Sequence, residues 1–263
     1  MRRLLLATLL PLAACAPDYS AVRDWSRTAA TIAEYPALPA AAAAQPARLT
    51  GLGVTPASDP ARAARVEALV ATQEAARTWL ALLAFMADDG LLTQRGNPMG
   101  GTAARIEPAD AQGAAAVRAL GDHMARAAFA RYRAPQLAYA IDESQEAFRG
   151  TLAAMVRLVT ALEGDAAAER AALAARFNAL EASLRDQVAR ALLAETRAAR
   201  EADLARRATL TATYLATLER MQEGHAVLVS RVNHLSQAET ARLVRAQEAA
   251  LRRAAAALPG LAL

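Results

Sequence analysis

From Ala61 onward, apolar side chains return at steps of three and four residues, and no alternating apolar–polar run of strand length interrupts them. That period places one apolar stripe along a helix and cannot serve a half-buried strand, so the expected fold is all-α. The clearest stripe joins Leu137, Ile141, Phe148, Leu152, Met155, Val159 and Leu162.

Punctuation divides this region into helices. Val66, Leu69, Val70, Leu80 and Leu83 mark a first long helix ending near Asp88–Gly90, and Gly96, Pro98, Gly100 and Gly101 read as a loop. Pro108 suits the first turn of a second helix, which carries Val117, Leu120 and Met124 to about Arg133. Pro135 interrupts, and the next stripe is expected to stop at Gly164-Asp165, a sub-boundary within a 61–263 body. Leu173, Phe177, Leu180, Leu184, Val188 and Leu192 continue in coiled-coil-like steps. Ser236-Gln237-Ala238-Glu239 has capping-box spacing and should start the last helix, which Pro259-Gly260 closes. A helix of 30 residues spans about 45 Å, so the expectation is an elongated antiparallel helical bundle.

Alanine supplies most of the 55% of residues that are hydrophobic, while aromatics make up 4%. Alanine favours helix but adds little side-chain area to a core, so helices must approach closely. The net charge is +4, with 26 acidic residues dispersed among the basic ones, all of them Arg. A balance so near neutral does not predict a nucleic-acid partner. Cys15 is the sole cysteine, so stability cannot rest on an internal disulfide.

Ahead of the body, Val22, Trp25, Ala29 and Ile32 share one face of a short amphipathic segment over 19–34. Pro36, Pro39, Pro46, Pro56 and Pro60 then surround an alanine run at 40–44. Prolines so dense exclude one continuous helix. Residues 15–60 are therefore expected to include a flexible, extended tether that lets the body stand off from a membrane.

The first fourteen residues have the layout of a targeting signal. Arg2 and Arg3 precede the apolar stretch 4–10, which is short of the roughly 20 residues a spanning helix needs. Leu12-Ala13-Ala14-Cys15 resembles the lipobox of bacterial lipoproteins. The resemblance implies that 1–14 is a signal peptide removed on maturation. It also implies that the Cys15 thiol receives a diacylglycerol and that the new N-terminus is acylated. One acyl chain binds a membrane reversibly, whereas several hold essentially permanently. Ala16 in the second mature position favours the outer membrane, facing the periplasm, in the sorting pattern of such lipoproteins. Loss of Arg2 and Arg3 would lower the net charge by two. The rest of the chain has the general look of all-helical bacterial lipoproteins, which carries over no functional residues.

Catalytic and metal-binding patterns are weak. His225 and His234 lie nine residues apart, half a turn out of phase on one helix, and His123 stands alone. His225 falls in phase with Leu218, Val229 and Val232, which suits a hydrogen-bonded core histidine better than a ligand. Gly96–Thr102 has the flavour of a phosphate loop but lacks its lysine. Asp142, Glu143, Glu146 and Arg149 read as a solvated charged face. Arg197, Arg200, Arg206 and Arg207, interleaved with Glu195, Glu201 and Asp203, read as an exposed helix laced with ion pairs. Arg242, Arg245, Arg252 and Arg253 follow on the last helix, where the final pair complements its dipole.

The expectation is therefore a membrane-anchored lipoprotein with a non-catalytic structural or adaptor role, a protein partner in the envelope, and no metal or cofactor. Self-association through the long C-terminal helices is compatible with that role. A binding module for a small apolar ligand or lipid, held near the 148–162 stripe, is the alternative, and an enzyme using His225 or the Asp142/Glu146 pair comes after it.

Overall fold

A computed structural model describes residues 17–56, 59–92, 96–129 and 133–260, with the side chains of 133 and 134 excepted. Ten α-helices and one 3-10 turn make up the regular structure among the described residues, which contain no strand. In chain order the helices are α1 (Ser20–Ala33), α2 (Ala37–Ala43), α3 (Gln45–Gly51), α4 (Pro60–Ala87) and α5 (Gly100–Ile106). They continue with α6 (Ala111–Ala127), α7 (Arg133–Glu143), α8 (Gln145–Ser183), α9 (Gln187–Ser230) and α10 (Ala238–Ala255). The all-α expectation holds.

Local chemistry sets several of the helix starts. Asp59 precedes Pro60 and accepts from the Arg62 amide at 2.9 Å, so α4 opens with a proline where no donor is lost. Asp110 caps α6 by accepting from Gly113 N, and Asp186 caps α9 by accepting from Val188 N. α10 starts one residue later than the capping-box spacing places it, with Gln237 rather than Ser236 at the cap and no side-chain cap hydrogen bond.

The core is organised around α1, the first helix among the described residues. It packs between α4 and α10, and Val22, Trp25, Ala29 and Ile32 are buried. On the other side of α4 lie α5, α6 and the first half of α8, contributing Ile106, Val117, Leu120, Phe148 and Met155. Gly224 on α9 has no side chain where the Trp25 indole sits against it. Tyr214 Oη donates to Ala33 O at 2.9 Å and accepts from Gln73 Nε2, which also donates to Tyr35 O, so the end of α1 is pinned to both α4 and α9.

The tether expected within 15–60 is corrected over its described part. α1 is core, and α2 and α3 form a short helical strap, with α2 laid against α4 and α9 and α3 against α8. The prolines do break the chain, but into short helices: Pro36 caps α2 and Pro46 lies in the first turn of α3. Enough apolar surface then meets them for Leu38 and Pro39 to be buried.

Further boundaries differ from expectation: Gly100 and Gly101 open α5 rather than lying in a loop, and Pro108 lies ahead of the Asp110 cap of α6 rather than in its first turn. α8 runs through Gly164 without a break to Ser183. The chain turns instead at Leu184, whose extended ψ of 128° ends the helix before the Asp186 cap. Pro135 lies inside the first turn of α7, where its missing amide is not required, rather than between elements.

α8 and α9 form an antiparallel hairpin of 39 and 44 residues. Contacts step evenly along it, from Phe148 beside His225, through Glu169 bonded to Arg207, to Asn178 bonded to Arg197. Beyond the body, the hairpin's seam is a small cluster of Leu173, Phe177 and Leu204, with Leu52 and Leu193 against it.

Candidate functional site

Where the strap crosses the hairpin, it roofs a cavity of about 70 Å³. Leu38, Leu69, Val159, Leu162, Leu204 and Leu210 supply its apolar wall. One water needs on the order of 10–15 Å³ of such space, so the cavity exceeds a single hydration site. Phe148, Leu152 and Met155, at the other end of the stripe, are buried within the main core.

One end of the cavity is ionic. Glu169, only 3% exposed, receives Arg48 Nε and Nη2 at 2.8 and 3.0 Å and Arg207 Nη2 and Nη1 at 3.0 and 3.1 Å. Both guanidinium groups therefore fork onto one carboxylate, an arrangement that satisfies its lone pairs bidentately. Burial, the strongest single influence, pushes the Glu169 carboxyl up, but the Arg48 and Arg207 hydrogen bonds and charges outweigh it and leave the group below its ordinary range. Arg207 also pairs with Asp203 at 3.0 Å.

The strap is fastened mainly by polar groups at its edges. Gln45 Nε2 donates to Asp165 O at 2.6 Å, and Arg62 Nη1 donates to Ala42 O at 2.7 Å. Beside the strap, Arg65 Nη2 joins α4 to α8 by bonding both Asp165 carboxylate oxygens at 3.1 Å. Facing the cavity, α2 offers Leu38 and alanines, which bury little area. A smaller hollow of about 30 Å³ adjoins this end, sharing Arg48, Glu169, Leu204 and Arg207 and adding Arg200 and Asp203.

The residues singled out from sequence are scattered. Leu12, Ala13, Ala14 and Cys15 lie outside the described residues. His225 is buried against Phe148, with ring centroids 4.7 Å apart. The hydrogen bond expected of a core histidine is missing at its Nε2, which has no partner. Burial pushes its pKa down to about 4.

His123 lies beside Arg126, and burial followed by that cation lowers its pKa. His234 is exposed next to Gln237. No three His, Cys, Asp or Glu side chains converge as a metal site requires among the described residues. In the glycine loop Asn97 ties the turn to α6, donating to Arg118 O and Asp122 Oδ1 while accepting from Met99 N. That is the bonding of a structural turn. Glu146 pairs with Arg149, and Asp142 and Glu143 are exposed.

Sequence reasoning misses the cavity and its ionic end. The available signal is Glu169, a carboxylate in phase with Leu162, Leu173 and Phe177 on an otherwise alanine-rich helix. A charge on an apolar seam must find a partner, but the partners lie 121 and 38 residues away.

No described helix is long and apolar enough to cross a membrane. The chain matches no protein-family model, no curated protein and no solved structure.

Proposed function

We propose that this chain is a lipid-anchored adaptor of the bacterial envelope, acylated at Cys15, facing the periplasm from the outer membrane and acting by docking another envelope protein. Support for the anchor is the lipobox-like Leu12–Cys15. The docking element would be the end of the α8–α9 hairpin, and one observation carries it. Val188 and Leu192, one turn apart near the hairpin's turn, are 76% and 64% exposed. Neighbouring apolar side chains left in water favour a partner with a complementary apolar groove. The role is non-catalytic and needs no cofactor or nucleic acid.

The test places a photo-crosslinking amino acid at Val188, at Leu192 and, as a body control, at exposed Arg242 in cells. A defined envelope protein captured from 188 and 192 but not from 242 supports the reading. Capture of the chain's own copies alone replaces it with self-association, and no adduct removes it. Incorporation of labelled fatty acid into the native chain but not into Cys15→Ser tests the anchor separately.

A further inference from the structure

We propose that the cavity beneath the α2–α3 strap is a binding site for a single-chain anionic amphiphile. Its alkyl chain would lie against Leu38, Leu69, Val159, Leu162, Leu204 and Leu210, and its head at the arginine-lined end. The proposal does not depend on the docking role of the hairpin.

Three features support it. The wall is aliphatic, without an aromatic ring to prefer a planar ligand. The two adjoining hollows share an end where Arg48, Arg170, Arg200 and Arg207 meet Glu169 and Asp203, while Asp165, also in the lining, is held by Arg65. Arg48 and Arg207 are committed to Glu169, whereas exposed Arg170 and Arg200 make no ion pair or hydrogen bond among the described residues. Two guanidinium groups are thus available to an anionic head. Glu163 marks the opposite edge, seven residues back along α8 and about 10 Å from Arg170 along the helix axis. The cavity therefore has a polarity that an anionic amphiphile matches in one direction only.

Entry requires the strap to lift. Its inner face gives up mainly Leu38 and alanine contacts, so most of its hold comes from the Arg48, Gln45 and Arg62 bonds at its edges. With the strap closed the space is only about 70 Å³, so a long alkyl chain fits only as the strap moves outward.

The full chain, reconstituted in phosphatidylcholine vesicles, would be irradiated with diazirine-bearing hexadecanoate, lysophosphatidylglycerol or hexadecylamine, and the labelled peptides mapped by mass spectrometry. Labelling by an anionic probe within 38–45, 159–166 and 204–211 is expected. Hexadecanoate alone would identify a free fatty acid as the ligand, lysophosphatidylglycerol alone a membrane lipid, and both the shared chemistry. Ala166→Leu with Ala208→Leu fills the cavity and should cut this labelling by about tenfold or more while leaving the melting temperature unchanged or raised. Arg170→Glu with Arg200→Glu should turn the preference towards hexadecylamine. Labels scattered over the surface, equal labelling by the cationic probe, or full labelling of the filled variant would overturn the proposal.

Discussion

The indole of Trp25 is seated against Gly224, in the space where a side chain on α9 would begin. The indole nitrogen and two ring carbons are the nearest atoms to that position, and a ring buried on all sides cannot turn away. Alanine there would gain helix propensity of under about 1 kcal/mol, against an overpacking cost of roughly 1–3 kcal/mol. Gly224→Ala should therefore lower the melting temperature, and its cost should be smaller in a Trp25→Leu background than in the native one, a coupling that a double-mutant cycle reads.

His225 makes the fold acid-sensitive. Its pKa falls from 6.5 to about 4 on burial, so the unfolded chain takes up the proton first. The stability tied to a neutral imidazole is present above pH 6.5 and lost as pH falls towards 4. A depression of this size corresponds to on the order of 3 kcal/mol. His225→Leu should flatten urea-unfolding stability between those pH values, and an unchanged slope in that variant would contradict the assignment.

Glu169 adds a second acid dependence at lower pH. Its folded pKa lies below the ordinary 4.5, so its contribution is present above that value and lost as pH falls through the depressed one. Glu169→Gln leaves Arg48 and Arg207 without their carboxylate. The side chains of both arginines are about a fifth exposed, which moderates the cost to about 2–3 kcal/mol. Hydrogen exchange should show the loss concentrated in 37–51, because Arg48 is the strap's charged fastening. Uniform loss across the fold would contradict that assignment.

Tyr214→Phe removes one hydroxyl that both donates to Ala33 O and accepts from Gln73. The buried Ala33 carbonyl then loses this donor, at a cost of about 1–2 kcal/mol. Denaturant titration of the variant, with the Gln73→Leu/Tyr214→Phe pair in a double-mutant cycle, should reveal strong coupling between the two positions.

Periodicity makes α4, the first half of α8 and the position of α10 legible in the sequence, because each carries one continuous buried stripe. The amphipathic face of α1 is equally visible, but its burial is not, since no local pattern says which helices will cover it. Proline density points away from helix at 36–46, where interruption means short helices rather than extended chain. Gly164 misleads for a related reason: at an exposed helix position a glycine costs only about 1 kcal/mol, and the packing of α8 against α9 carries the helix past it. The true turn at 184–186 has neither glycine nor proline, and its one cue is the capping Asp186. The ionic end of the cavity joins three helices distant in sequence, so only assembly could reveal it.

With α1 built into the core, acylation at Cys15 would leave a leash of five residues to Ser20, no more than about 18 Å even at full stretch. A protein held so short cannot sweep the periplasm for its partner. Its search would become lateral diffusion in the plane of the bilayer, with the orientation of the body restricted by headgroups beneath it. Encounter would then depend on surface density rather than on concentration in the periplasmic volume.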